Sequence, residues 1–159
     1  MRMKFVVKHN FIGIEMSQSI KEILKKADDT YRLRYLLGKD DTDDINTAIL
    51  VLKNRLKQEI PELEIFSFTD RIEIKNLTDT NYTAIAIRLK EEHLVLKYNL
   101  YGRLDLFNRI TEPDKGLIEK VKNTITSLGF YKIDENEAES DEYHSMIETY
   151  KLRVIRRRP

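Results

Sequence analysis

The stretch that decides the fold is residues 62–100, ELEIFSFTDRIEIKNLTDTNYTAIAIRLKEEHLVLKYNL, in which apolar and polar residues alternate. A period of two is typical of β-strands that bury one face and expose the other. Thr69-Asp70 and the charged run 90–92 divide the stretch into strands joined as hairpins. This predicts an antiparallel meander of four or five strands, since residues 101–107 can add a strand after a bend at Gly102. The positions expected on the buried face include Ile85, Ile87, Leu89, Leu94, Leu96, Tyr98 and Leu100.

Three segments outside this stretch carry apolar residues at helical spacing. The expected helices run over 18–37 between Ser17 or Ser19 and Gly38, from the N-cap Thr42 to Pro61, and over 113–128 before Gly129. Each helix has one apolar stripe and the sheet has one apolar face, so the two layers bury each other. The sequence therefore predicts a two-layer α+β domain with three amphipathic helices packed on an antiparallel sheet.

The two ends of the chain are expected to contribute further strands. Short apolar runs at 3–8 and 11–16 predict a strand pair, and alternation over 145–156 predicts a final strand. In that strand Met146, Tyr150, Leu152 and Val154 are expected on one face. The sheet then has about five to seven strands, and residues 1–159 form a single domain.

Composition excludes several classes of site. The chain has no cysteine, so thiolate metal sites and cysteine nucleophiles are excluded, and its five glycines are too dispersed for a phosphate-cradling loop. No apolar run approaches the roughly 20 residues that span a bilayer, so no membrane contact is expected. A cytoplasmic location without cofactors is the expectation. The Lys-, Ile- and Asp-rich composition is also compatible with an accessory protein of a phage or bacterium.

Charge is strongly segregated near the C-terminus, although the net charge is only +1. Residues 134–142, DENEAESDE, contain six carboxylates and no base, whereas residues 146–159 contain five cations and one acid. The acidic run lacks periodicity and is expected to be a mobile loop. The basic tail 156–159 follows the final strand, and its arginines are expected to meet phosphates or an acidic partner, to keep the strand end solvated, or to be masked by the acidic loop.

Two short segments of the chain suggest an enzymatic alternative, a metal-dependent nuclease. Pro61-Glu62 followed by Glu73-Ile74-Lys75 resembles the PD-(D/E)xK pattern of metal-dependent nucleases, with Glu62 in place of the first Asp. If the hairpin turns at Thr69-Asp70, Phe66 faces Glu73, and Glu62 lies roughly 13 Å along the strand from the level of Glu73. One metal ion cannot bridge that distance. The three histidines also lack ligand spacing, so no metal site is expected.

The function expected from these patterns is that of a non-enzymatic binding or regulatory protein. Aromatic residues on the strands near arginines are also found where sheets bind RNA, although no RNP-like motif is present. The partner is expected to be nucleic acid or an acidic protein surface, and the alternatives are a protein-interaction module without a nucleic-acid role or the nuclease. The residues expected to bind are Arg103, Arg109, Lys151, Arg153, Arg156, Arg157 and Arg158.

Overall fold

A computed structural model describes residues 10–39, 41–78, 80–102, 111–139 and 144–156. Its elements are α1 (Asn10–Lys39), α2 (Thr42–Glu59), β1 (Ile65–Ser67), β2 (Arg71–Leu77), β3 (Tyr82–Lys90), β4 (His93–Asn99), α3 (Lys115–Ser127), β5 (Tyr131–Glu139) and β6 (His144–Lys151). The six strands form one antiparallel sheet in the order β1-β2-β3-β4-β6-β5. The predicted α+β class, with helices packed against an antiparallel sheet, is confirmed.

Strands β1 to β4 form the predicted meander. The β1–β2 hairpin has the expected register, with Phe66 opposite Glu73. Glu91 reverses the chain between β3 and β4 and has a positive φ of 53°, a conformation that is uncommon for a residue other than glycine. Alternate residues of these strands are buried against the helices, as the period of two requires. The buried residues of β2, β3 and β4 include Ile72, Ile74, Ile85, Ile87, Leu89, Leu94, Leu96 and Tyr98.

Helix α1 corrects the prediction for the start of the chain. Residues 11–16, expected to form a strand, lie inside α1, while the expected strand at 3–8 lies outside the described residues. Short apolar runs of this kind fit a helix as well as a strand, so periodicity could not decide between them. Gly38 was expected to follow the end of this helix, but it lies within the last turn of α1, where Ile155 O approaches it. A Cβ added at Gly38 would lie 2.1 Å from that oxygen.

Helix α2 packs against α1 and the sheet through the predicted apolar stripe. Its N-cap is Asp41 rather than the expected Thr42, because the Asp41 carboxylate accepts a hydrogen bond from the Asp43 amide. Arg55 of α2 is almost completely buried, and its Nη2 and Nε atoms lie 2.5 Å and 2.9 Å from Asp29 Oδ2. This ion pair joins α1 to α2. It places a paired cation inside the interface between the two helices.

Helix α3 is shorter than predicted and covers the sheet near β4 and β6. Asp114 is its N-cap, since its carboxylate accepts a hydrogen bond from the Leu117 amide. The expected stripe is buried, and Gly129, with a φ of 101°, ends the helix as predicted. The final strand is also shorter than the expected 145–156. It ends at Lys151, and residues 152–156 continue past α1 without strand pairing.

The acidic run corrects a second prediction. Residues 134–139, expected in a mobile loop, belong to β5 and pair with β6, whereas 140–142 lie outside the described residues. Strand β5 lies at the edge of the sheet beyond β6, and its side chains from Tyr131 to Glu137 are exposed. Its carboxylates therefore stay in water while its backbone is hydrogen-bonded. Charged side chains on an edge strand also discourage pairing with another chain.

Candidate functional site

The sheet has one face that the helices do not cover. Residues that alternate with the buried ones point to this open face, and their side chains are partly or fully exposed. The strand register sets them side by side across four strands. We refer to the following set as the open face: Arg71, Glu73 and Lys75 of β2; Ala84, Ala86 and Arg88 of β3; Val95 and Lys97 of β4; and Ile147 and Thr149 of β6.

A depression of about 280 Å³ lies at the centre of the open face. Ala84 and Ala86 line it from β3, while Glu73, Lys75 and Lys97 line it from the neighbouring strands. The depression exists because two methyl side chains lie between strands that carry long ones. The two lysines border an otherwise shallow surface, and among the described residues neither has an ion-pair partner.

Two arginines lie directly opposite each other on this face. Arg71 of β2 and Arg88 of β3 are partners in the register, and like charges in such a pair destabilise a sheet. Arg71 Nε lies 3.0 Å from Glu73 Oε2, without the alignment of a hydrogen bond, and Arg88 Nε lies 3.8 Å from Asp70 Oδ2. Both carboxylates are exposed enough for water to screen them, so the arginine charges are only partly neutralised.

Two phenylalanines extend the open face beyond β2. Phe66 and Phe68 are each 49% exposed, and Phe66 is opposite Glu73 in the register. The Arg71 guanidinium carbon lies 4.7 Å from the centre of the Phe68 ring, which is within the range of a cation–π contact. Exposed aromatic rings beside cations are therefore found at this end of the sheet.

The side chain of Asn99 holds together the end of the sheet next to the depression. Its Oδ1 accepts a hydrogen bond from the Ala84 amide at 2.9 Å, and its Nδ2 donates to the carbonyl oxygens of Tyr82 and Tyr101 at 2.8 Å and 2.9 Å. Asn99 thus replaces backbone pairing where β3 and β4 end. This fixes the position of Ala84 in the wall of the depression.

The residues predicted to bind a partner are only partly described. Arg103, Arg109, Arg157 and Arg158 lie outside the described residues. Lys151, Arg153 and Arg156 are described, and all three lie at the end of β6 or after it. They do not form a patch free of acids, because Glu92 in the β3–β4 turn lies 3.6 Å from Lys151 and 3.0 Å from Arg156.

Glu92 is therefore the acid that neutralises the C-terminal cations in the described part of the chain. Desolvation opposes its ionisation, but the charges of Lys151 and Arg156 outweigh that effect and hold the pKa of Glu92 below its usual value. The acidic run had been considered for this role. Its described part is instead committed to β5, on the far side of β6 from β4.

The structure does not bring the nuclease-like residues together. Glu73 and Lys75 are on the open face, whereas Glu62 Oε1 lies 3.9 Å from Lys120 Nζ of α3, on the opposite side of the sheet. The described ranges contain no group of three His, Cys, Asp or Glu side chains that could hold a metal ion. Glu73 and Lys75 remain part of the open face but do not form a metal-dependent site with Glu62.

Sequence reasoning missed a buried polar cluster between α3 and the sheet. Glu148 of β6 is fully buried, and its carboxylate accepts hydrogen bonds of 2.5 Å from the hydroxyls of Tyr98 and Tyr150. Lys122 Nζ lies 2.9 Å from Glu148 Oε2 and 4.8 Å from the centre of the Tyr98 ring. A signal was present in the sequence, because Glu148 lies midway between the inward positions Met146 and Tyr150.

The four groups of this cluster shift one another's pKa values. Burial opposes ionisation of Glu148, yet the hydrogen bonds from the two tyrosines and Lys122 keep its pKa below the usual value. Burial and the nearby carboxylate raise the pKa values of Tyr98 and Tyr150. Burial alone would lower the pKa of Lys122, but the contacts with Tyr98 and Glu148 outweigh that effect. The net pKa of Lys122 is therefore raised, and Lys122 stays charged. Because the carboxylate is enclosed, the cluster stabilises the helix–sheet interface and offers no accessible reactive group.

Comparison with protein-family models, curated proteins and solved structures found no match. Among the helices of the described residues, none is long and apolar enough to cross a membrane.

Proposed function

We propose that the protein is a non-enzymatic binding protein that holds single-stranded nucleic acid on the open face of its sheet. The observation that carries this proposal is the cationic character of a sheet face that none of the three described helices covers. Arg71 and Arg88 lie side by side, and Lys75 and Lys97 border the central depression without ion-pair partners in the described residues.

Phosphate groups complement this arrangement physically. A phosphate between Arg71 and Arg88 removes their mutual repulsion and accepts hydrogen bonds from both guanidinium groups. Each phosphate neutralised by a cation also releases counterions, which adds to the affinity at low salt. The repulsion in the free protein is thus relieved when an anion is bound.

The shape of the face favours a single strand over a duplex. Unpaired bases can lie flat on a sheet and stack on exposed aromatic rings, and Phe66 and Phe68 provide such rings beside Arg71. Readers of duplex DNA instead insert a helix or a two-stranded ribbon into a groove, whereas this face is broad and hollow at its centre. The hollow beside Ala84 and Ala86 leaves space for part of a nucleotide.

The C-terminal cations extend the same surface. Lys151 is opposite His93 in the register, and Arg153 is exposed just beyond it. Glu92 reduces the net charge there, so these residues are proposed as secondary contacts. The main contacts are assigned to Arg71, Arg88 and the two lysines beside the depression.

Binding of a labelled homopolymeric oligonucleotide of about 15 nucleotides, followed by fluorescence anisotropy, tests the proposal. The combination of Lys75→Glu with Lys97→Glu is expected to weaken binding at least about tenfold at roughly 50 mM salt. The control combines Lys115→Glu with Lys120→Glu, which makes the same change in net charge on the exposed side of α3. An equal loss in both variants would show that net charge, rather than the open face, drives binding.

Competition with polyglutamate separates this proposal from binding to an acidic protein. Polyglutamate and unlabelled oligonucleotide are compared at equal concentrations of negative charge. If polyglutamate displaces the labelled oligonucleotide equally well, stacking of bases on Phe66 and Phe68 does not contribute, and an acidic protein partner is favoured. Displacement only by unlabelled oligonucleotide supports base stacking on the face.

A further inference from the structure

The middle of α1, from Ile20 to Tyr31, carries an apolar stripe that the described residues leave exposed. Ile20, Ile23, Leu24 and Tyr31 are 49%, 66%, 56% and 58% exposed, and Ala27 between them is also exposed. These four large apolar side chains lie within twelve residues and form a continuous patch along about three turns of one helix. Contiguous exposed apolar surface of this kind marks an interaction site more often than scattered apolar residues do.

The stripe points away from the domain to which α1 belongs. Leu33 and Leu37 are buried against the core, and Asp29 pairs with Arg55 of α2. At 3.6 residues per turn, these contacts lie on roughly the opposite side of the helix from Leu24 and Tyr31. The elements packed on α1 in the described residues therefore cannot cover the stripe without rotating this helix out of its own core, which leaves the stripe open to a second molecule.

The spacing of the stripe is that of a seam between two helices. Ile20, Leu24, Ala27 and Tyr31 follow one another at intervals of four, three and four residues, the alternation that brings side chains to one line in a coiled coil. Ile23 widens the line on one side. A partner that fits this seam is another α-helix with the same spacing.

We propose that the stripe pairs with the same stripe of a second copy of this chain, in antiparallel orientation. The charges beside the stripe favour this arrangement. Lys21 and Asp28 are seven residues apart and so occupy the same flank of the seam. Antiparallel pairing brings Lys21 close to Asp28 of the partner subunit, and two-fold symmetry makes this contact twice.

A parallel pair lacks this complementarity, because Lys21 and Asp28 then face the other flank of the partner helix, where Ile23 and Thr30 carry no charge. The antiparallel pair also matches large side chains with small or flat ones along the seam. Its two-fold axis passes between Lys25 and Lys26, so Leu24 meets Ala27 of the partner subunit and Ile20 meets Tyr31 of the partner subunit. The interface is independent of the open face and does not rest on nucleic-acid binding.

Sedimentation equilibrium of the full chain, over about a hundredfold range of concentration, tests the pairing. The dimer is expected to dissociate on dilution, and Leu24→Glu is expected to raise the dissociation constant at least about tenfold, because it places a charge in the seam. The control is Leu77→Glu, which alters a similarly exposed leucine at the end of β2 and is expected to leave the dissociation constant unchanged. A wild-type chain that stays monomeric at the highest concentration would overturn the proposal.

Charge exchange and cross-linking test the orientation. Lys21→Asp and Asp28→Lys are each expected to weaken the dimer several-fold, and the double variant is expected to restore it. Since the chain has no cysteine, Leu24→Cys and Ala27→Cys introduce unique thiols. In the antiparallel dimer a mixture of these two variants cross-links with each other. Cross-linking of Leu24→Cys with itself in preference to the mixture would instead show a parallel dimer and overturn the assigned orientation.

Discussion

Lys122 of α3 and Glu148 of β6 form an ion pair, with 2.9 Å between Nζ and Oε2, at the interface of the helix layer and the sheet. Two tyrosine hydroxyls complete the coordination of the same carboxylate. A buried charge is costly unless it is paired and hydrogen-bonded, and here every partner comes from an element that must be in place for the core to close. The cluster therefore fixes the position of α3 relative to β4 and β6.

Removing the Glu148 carboxylate is expected to destabilise the fold strongly. Glu148→Ala leaves Lys122 and two hydroxyls without their shared acceptor, so the free energy of unfolding should fall by about 3–5 kcal/mol. Urea denaturation measures this difference. Glu137→Ala, on the exposed edge strand, serves as the control and should change stability by less than about 0.5 kcal/mol. Similar losses in the two variants would mean that Glu148 contributes no more than a surface acid.

Stability is expected to fall at both ends of the pH range. The pKa of Glu148 is lowered by folding, so its contribution is present above the ordinary carboxyl pKa and is lost as the pH falls through the folded value. The pKa values of Tyr98 and Tyr150 are raised by folding, so their contribution is complete below about pH 10 and is lost as the pH rises further.

Denaturation in urea at a series of pH values measures both effects. Tyr150→Phe removes one of the two tyrosine ionisations and is expected to make the alkaline loss shallower, while the loss in acid remains. An unchanged alkaline slope in this variant would show that other groups control stability above pH 10.

Two glycine substitutions are expected to have opposite effects. Gly38→Ala should destabilise the protein by more than about 1 kcal/mol, although alanine is the better helix former, because the new Cβ collides with Ile155 O. Gly116→Ala, in the exposed first turn of α3, should stabilise by about 0.5–1 kcal/mol, since its Cβ meets only the Asp114 carboxylate at 3.4 Å. Thermal unfolding of both variants gives the signs, and a stabilising Gly38→Ala would contradict the close approach of the two segments.

The pairing of Arg71 with Arg88 is expected to increase the affinity for the oligonucleotide while lowering the stability of the fold. Arg88→Gln removes the like charge opposite Arg71, so the free energy of unfolding should stay constant or rise by up to about 0.5 kcal/mol. The same change should weaken oligonucleotide binding and reduce the slope of log K against log salt by about 0.7. Titrations at several salt concentrations measure that slope. A slope equal to that of the wild-type protein would remove Arg88 from the interface.

The sheet could be predicted from sequence because its first four strands are local and their apolar residues alternate. The pairing of Phe66 with Glu73 could be predicted from the position of the turn at Thr69-Asp70. The place of β6 between β4 and β5 could not be obtained in this way, because long-range pairing leaves no mark on local periodicity. Strand β5 was missed for a related reason, since an edge strand exposed on both faces has no apolar alternation.

The polar contacts were the least predictable part of the structure. Arg55 and Glu148 are buried, and each is paired with a residue from a distant segment, which local sequence patterns do not reveal. The open face was predictable in outline, because polar residues alternate with the core positions. Its arginine pair was not, because Arg71 and Arg88 are brought together by the β2–β3 register.

The strand order has a consequence for folding. Strand β5 precedes β6 in the chain, but among the described strands it pairs with β6 alone. A nascent chain therefore exposes an unpaired strand until the following segment has been made and has added to β4. An unpaired strand can form a sheet with a strand of another molecule. When two copies of β5 approach, repulsion opposes this pairing, because each copy carries the carboxylates of Asp134, Glu135 and Glu137. The acidity of β5 thus acts before the native structure exists, by keeping the waiting strand soluble.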